Sequence, residues 1–327
     1  MTLQVAVIGA GRRGQAHTEA IADLEDRAQV VAIADVVEER AQRLIATSAP
    51  YAAPSVDPLA MLRQHRPDVV VITTPPPCHR EQAIAALEFG AHVILEKPIA
   101  LTIEDAEAIG EAAARTSRMV HVCHQLRYGP GVHELQARLS QQPVALTHIW
   151  NYRKGPDIPG NWSRHWGGGH VVEWGIHYFD LCRYLMRTEA VEVYARYTDQ
   201  VLTGKPGWDN WDGYSLAVQW ANGAVGSYAS TYALKPGIPP EAGLAIVAAE
   251  GKATVDWLSG TWITPEETLR WPADRGFGER ELARAFFAAI TTGNASGLRQ
   301  TFDDAMQTHR LVMAANTSAE RGEPVRL

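Results

Sequence analysis

Leu3-Gln4-Val5-Ala6-Val7-Ile8-Gly9-Ala10-Gly11-Arg12-Arg13-Gly14 decides the fold. An apolar run ends directly in three glycines spaced G-x-G-x-x-G, and a helical pattern follows from Gln15. In that setting the first glycine permits a tight turn and the second lets the backbone approach a pyrophosphate. The third allows close packing of helix on strand. The helix N-terminus then faces the phosphates. Asp35 ends the next apolar run, 21 positions after Gly14, where a carboxylate accepts the ribose hydroxyls of NAD. A 2′-phosphate would call for a basic or small polar residue at 35 or 36, so NAD is preferred over NADP. Arg40 lies nearby, a turn into the following helix.

Outward from this stretch, strand patterns are expected at 4–8, 30–34, 69–73, 93–95 and 119–123. All are short and rich in Val and Ile, as parallel strands buried on both faces are. Helical patterns fall between them, at 15–24, 37–46, 58–64, 80–89 and 106–114. Asp57-Pro58 serves as N-cap and first-turn proline, and Thr102-Ile103-Glu104-Asp105 resembles a capping box. The alternation predicts a doubly wound parallel α/β (Rossmann) sheet over 1–123.

Beyond Cys123 the pattern changes to strands at 144–151, 191–197, 214–220, 224–232, 244–249 and 253–258. Asn222-Gly223 supplies a hairpin turn. Helices are expected at 173–185, 279–291 and 302–317. This predicts a second, α+β domain over 124–327 with a large, mostly antiparallel open sheet. All ten tryptophans lie between Trp150 and Trp271, so the two parts of the chain do different work. Loops at 153–170 and 199–212, rich in Gly, Trp, Asp and Asn, look like walls of a site.

Bulk properties narrow the function. The 327 residues are 46% hydrophobic with a net charge of -7, which gives no basic footprint for nucleic acid or an acidic membrane. No apolar run approaches the ~20 residues of a membrane helix. Cys78, Cys123 and Cys182 are an odd, widely spaced set that fits a reducing compartment. No secretory signal is visible, so a cytoplasmic protein is expected.

Two further signals complete the set. Thr74-Pro75 closes the expected strand at 69–73, at the border of the nucleotide crevice, with His79 opening the next helix; Pro76 and Pro77 are read as turn formers. The run ending at Leu95 leads into Glu96-Lys97-Pro98. With the fingerprint and His17, and with Gly167-Gly168-Gly169, Glu173-Trp174-Gly175-Ile176-His177, Asp180 and the stretch 315–325, the chain resembles the glucose–fructose oxidoreductase / inositol dehydrogenase / MocA family. The ordered set covers most of the sequence.

That resemblance implies an NAD(P)-dependent oxidoreductase acting on a ring hydroxyl or ketone of a sugar, cyclitol or sugar derivative. Lys97 would sit beside the nicotinamide and hydrogen-bond the reacting oxygen, Glu96 would touch the cofactor, and His177 would exchange the proton. Gly9, Gly11, Arg12, Arg13, Gly14, Asp35, Thr74, Pro75 and His79 complete the expected cofactor contacts. Glu173 stands where most dehydrogenases of the family have aspartate, four residues before His177 and on the same face of an α-helix. Its extra methylene moves the carboxylate by ~1.5 Å, so the site must be rebuilt or the chemistry shifted. An alternative is therefore glycoside cleavage or epimerisation, with tightly bound NAD used transiently through a keto-sugar. A non-catalytic NAD-dependent sensor is a third class.

Trp162, Trp166 and Trp174, with Arg127, are expected to line the substrate; Trp208 and Trp211, with Asn161, Asp209 and Asn210, are weaker candidates. Trp220 and Trp257 are read as sheet packing. His121, His124, His165, His170 and His177 with Glu173 could supply metal ligands, but no compact spacing recurs and no metal is expected. A homodimer or homotetramer through the C-terminal sheet is a family expectation.

Overall fold

The computed structural model describes residues 2–24, 27–156, 159–257, 259–272 and 276–327. Two compact units are present: Met1–Gln125 with Gly276–Met306, and Leu126–Arg275 with Gln307–Leu327.

The first unit begins with β1 (Leu3–Ile8), α1 (Arg12–Ala22), β2 (Ala28–Ala34), α2 (Glu38–Ser48), β3 (Ala53–Ser55), α3 (Pro58–His65) and β4 (Val69–Ile72). It continues through α4 (His79–Glu88), β5 (His92–Leu95), α5 (Ile103–Thr116) and β6 (Val120–Val122). The strands form one parallel sheet ordered β3-β2-β1-β4-β5-β6. Strand order reverses between β1 and β4, the switch point at which open α/β sheets bind nucleotides. Val70, Ile72, Val93 and Leu95 are fully buried, as both-face coverage requires. The caps act as expected: Asp57 accepts from the amides of Leu59 and Ala60, and Thr102 from that of Asp105. The edge strand β3 was not anticipated. It has three residues including Pro54, and a proline strand survives only at an edge.

The second unit contains α6 (Val132–Leu139), β7 (Val144–Tyr152), α7 (Arg164–Gly167), α8 (Ile176–Met186), β8 (Ala190–Thr198), β9 (Gly213–Trp220) and β10 (Val225–Thr231). β11 (Glu241–Ala248), β12 (Lys252–Val255), β13 (Gly260–Ile263) and β14 (Thr268–Trp271) follow. Neighbouring strands pair antiparallel except β7 with β10, which run parallel. The β9–β10 hairpin turns at Gly223, whose φ of 89° suits glycine. Tyr214, Leu216, Val218 and Trp220 are all buried, the expected apolar face of β9. β13 and β14 carry too little apolar alternation to be seen in sequence. The expected strand end at Leu258 lies outside the described residues.

A contiguous second domain over 124–327 was expected; in the structure the chain passes between the two compact units more than once. After β14 the chain re-enters the first unit with α9 (Phe277–Thr292) and leaves it again within α10 (Phe302–Arg321). α9 buries Leu282, Phe286 and Phe287, and Gly278 approaches the Gln125 carbonyl so closely that a Cβ would lie 2.6 Å from it. β15 (Val325–Arg326) then pairs antiparallel with β8. Among the described residues no helix is long and apolar enough to cross a membrane.

Candidate active site

In the first unit the cradle is a backbone construction. Gly9 has φ 100°, and a Cβ on Gly14 would collide with the Gly9 carbonyl, so both positions require glycine. Around Gly11 nothing lies within 4 Å of a built Cβ, and no side chain caps the start of α1. The helix amides are thus open for a pyrophosphate. The Thr73 hydroxyl donates to the Gly9 carbonyl at 2.8 Å, a tether that no motif revealed. Asp35 accepts from the amides of Ala10 (2.8 Å) and Val37 (2.9 Å), which holds its carboxylate at the end of β2. These residues fit an NAD: glycines where the backbone must approach phosphate, and an acid at the ribose position.

Arg12 is exposed, whereas Arg13 is committed elsewhere. Its Nε donates to Glu96 at 2.6 Å and its Nη1 to Glu279, on α9, at 2.8 Å. His17 Nε2 lies 3.0 Å from the same Glu96 oxygen. Burial pushes the Glu96 carboxyl up, but Arg13 and then His17 pull it down further, so it stays ionised well below the usual range. Glu96 also accepts from the Lys97 amide at 3.2 Å. Arg13 and Glu96, both expected at the cofactor, are paired with each other, and the pair braces the Lys97 turn. His79, also expected at the cofactor, is held by two carbonyls. It is fully buried between the carbonyls of Thr74 (2.8 Å) and Pro98 (2.9 Å), joining the two turns of the crevice border. The Thr74 hydroxyl donates to Gln82 at 2.5 Å, and Pro75 leads into the short turn Pro76–Cys78.

Among the described residues, the group close enough to share a metal ion is His17, Glu96 and Cys123. It includes none of the histidines considered from sequence. Glu96 already neutralises Arg13, and burial holds the Cys123 thiol protonated, its pKa pushed well up. Ion pairing accounts for the cluster.

In the second unit the helix expected from 173 begins earlier and wider. Val171–Gly175 forms a π-helical turn that runs into α8, so Glu173 and His177 are not simple neighbours on one α-helical face. Such turns widen the backbone at functional positions. Glu173 accepts from the Tyr232 hydroxyl at 2.6 Å. Burial, then Glu173, raises the Tyr232 pKa, so that hydroxyl stays a donor. Tyr232 stacks on His170 at 3.8 Å between ring centres. His170 is itself fixed by Ser230 Oγ (2.7 Å) and the Trp211 carbonyl (2.6 Å), and burial pushes its pKa down to about 4. Tyr232 is the residue that seats the longer Glu173, and no motif pointed to it.

His177 is buried beside two indoles, with Trp257 edge-on at 4.8 Å and Trp174 at 6.4 Å. Trp257, expected to pack the sheet, thus belongs with His177. Trp174 is the expected substrate tryptophan that shares this cluster. Trp162 donates to the Pro156 carbonyl, and the Lys205 ammonium lies over both the Trp162 and Trp208 rings, at 4.0 and 4.5 Å. Trp166 is largely exposed and covers Gly160.

Arg127, expected to line the substrate, is buried in an ion pair. Its fork is bidentate to the buried Asp180, both bonds 2.7 Å, and Thr308 joins Asp180 at 2.9 Å. Trp211 is buried between Tyr197 and Tyr214, and buried Asn210 accepts from its backbone amide. Trp220 is core. The Asn161 side chain lies outside the described residues.

Two family models match the chain: "Oxidoreductase family, NAD-binding Rossmann fold" over residues 3–124 and "GFO/IDH/MocA C-terminal domain" over 142–254. The chain is 27% identical over 195 residues to a scyllo-inositol 2-dehydrogenase (NAD(+)) of Bacillus subtilis (strain 168), covering 58% of this chain and 56% of that one. It thus spans little more than half the length of that relative. An inositol 2-dehydrogenase of Rubrobacter xylanophilus is 28% identical, with 80% and 73% covered. A levoglucosan dehydrogenase solved with NADH and levoglucosan shares the fold, with a TM-score of 0.87, 22% identity and coverage of 100% and 99%. The chain therefore belongs to the Gfo/Idh/MocA oxidoreductase family, and its first unit carries the family's NAD-binding Rossmann domain.

Proposed function

We propose that the protein is an NAD-dependent dehydrogenase that oxidises a ring hydroxyl of a sugar, cyclitol or sugar derivative, or reduces the matching ketone. NAD, when bound, supplies the hydride acceptor. His177 takes the hydroxyl proton as hydride leaves carbon. The Lys97 ammonium holds the same oxygen and stabilises the charge that develops on it. Glu173, held by Tyr232, orients the substrate hydroxyl or the imidazole. The relatives named for inositol oxidation support the substrate class, and Asp35 at the ribose position supports NAD over NADP.

The observation that carries this reading is the buried Glu96 network, in which Arg13, His17 and the Lys97 amide converge on one carboxylate and brace the turn that carries Lys97. The test is NADH formation across neutral and acidic hexoses and cyclitols. Wild-type protein produces NADH with at least one of them, and Lys97→Ala reduces the rate by ~10³-fold or more while still binding NAD. Full activity in that variant removes Lys97 from the mechanism. Turnover with no net change in nicotinamide absorbance favours transient oxidation instead.

A further inference from the structure

Arg153, immediately after β7, was singled out by no motif. Its backbone is fixed on both sides: its amide donates to the Thr231 carbonyl at 3.0 Å, and its carbonyl accepts from Leu234 at 3.2 Å. Its Nε donates to Asn151 Oδ1 at 2.9 Å, and its guanidinium lies 3.4 Å from the centre of the Trp174 ring. Asn151 is fully buried and donates in turn to Ser230, which holds His170. One buried chain, Asn151–Ser230–His170, thus orients Arg153 at one end and stacks on Tyr232, the partner of Glu173, at the other.

This anchoring uses one face of the guanidinium and one of its nitrogens. The terminal amino groups make no hydrogen bond to any described residue, and no described carboxylate forms an ion pair with them. Burial works against the charge and lowers the Arg153 pKa; Glu173 is near enough to offset this only partly. A half-buried cation whose planar edge stays open gains from an oxyanion that completes it. The Trp174 ring that carries the guanidinium is the one beside His177. A ring substrate presenting a hydroxyl to His177 therefore meets Arg153 across the same indole.

We propose that Arg153 recognises an anionic group on the substrate, so that the preferred sugar or cyclitol carries a carboxylate or a phosphate. The proposal rests on the assignment of the His177 cluster as substrate site, but anion binding is measurable without turnover. A guanidinium edge offers two parallel donors, which match either oxyanion bidentately.

The experiment is calorimetric binding to the full chain with NAD present, using D-glucuronate, D-glucose 6-phosphate, D-glucose and myo-inositol as probes. Wild-type protein binds one of the two anions roughly 10- to 100-fold tighter than the neutral sugars, and raising the salt narrows that margin. Which anion wins separates carboxylate from phosphate. Arg153→Gln loses the margin and leaves neutral binding unchanged, while Arg153→Lys keeps part of it. The proposal is overturned if wild-type protein binds glucose or inositol as tightly as both anions. It is overturned equally if Arg153→Gln weakens all four probes alike, since Arg153 then only packs Trp174. If Arg153→Gln does not fold, the wild-type margin and its salt dependence decide. NADH assays run in parallel keep the two readings apart: anion binding without oxidation of any probe sinks the dehydrogenase and leaves Arg153 standing.

Discussion

The nucleotide cradle of the first unit and the aromatic cluster of the second are built by opposite means. The cradle is made of main chain: a strand end, three glycines and a helix start, contiguous over twelve residues. The aromatic cluster is made of side chains from Arg153, His170, Glu173, Trp174, His177, Tyr232 and Trp257, brought from four separate stretches of chain. A backbone site is encoded by what is missing, the Cβ atoms of Gly9 and Gly14. A side-chain site is encoded by partners that only tertiary pairing brings together. Substitutions should therefore separate the two: cofactor binding should respond to the glycine cradle, and substrate chemistry to the aromatic cluster and Lys97.

The largest separation is expected at His177. His177→Asn should lower kcat by ~10³-fold, within the range for loss of a general base, with the Kd for NAD unchanged by isothermal titration. A matching loss of NAD affinity would break the division of labour.

The second test uses pH. Burial depresses His170 from its ordinary 6.5 to about 4. The folded protein thus resists protonation that the unfolded chain accepts. The stabilisation is complete above pH 6.5 and is lost as pH falls towards 4, by about 3 kcal/mol in all. Chemical denaturation across this window should show that slope in wild-type protein and a shallower one in His170→Gln. Equal slopes would contradict the neutral, doubly hydrogen-bonded ring.

Gly14→Ala should act in the other direction. Relieving the clash with the Gly9 carbonyl costs ~1–3 kcal/mol, so NAD affinity should fall by at least ~10-fold and Tm should drop. Unchanged NAD binding would argue that the cradle tolerates rearrangement. The smallest effect is expected at Tyr232→Phe, which removes one hydrogen bond to a carboxylate. A loss of ~10-fold in kcat/KM with NAD binding intact is predicted. No loss would mean that Glu173 needs no seating.

How legible each site was in the sequence follows from the same contrast. The parallel sheet, the glycine positions and Asp35 were readable because their signals are local. Thr73 was missed because its role is a single tether across 64 positions. The ion-pair network of Arg13 and Glu96 was not legible because Glu279, which completes it, lies 266 residues away from Arg13 on a helix that returns to the first unit. That return leaves no local signal either. In the second unit, His177 and Glu173 were found through a motif, but the π-helical turn between them leaves no pattern in residue types. The Arg127–Asp180 pair was not legible because an arginine bidentate to a buried aspartate reads in sequence like any other arginine.

The central claim, that Lys97 and His177 serve one reaction, is tested most directly by a double-mutant cycle. Steady-state kcat/KM for NADH formation should be measured for wild type, Lys97→Ala, His177→Ala and the double variant. Groups that act as a unit are strongly non-additive, so the double variant should be no more than a few-fold slower than the slower single variant. Losses that multiply would show two independent contributions and contradict the account.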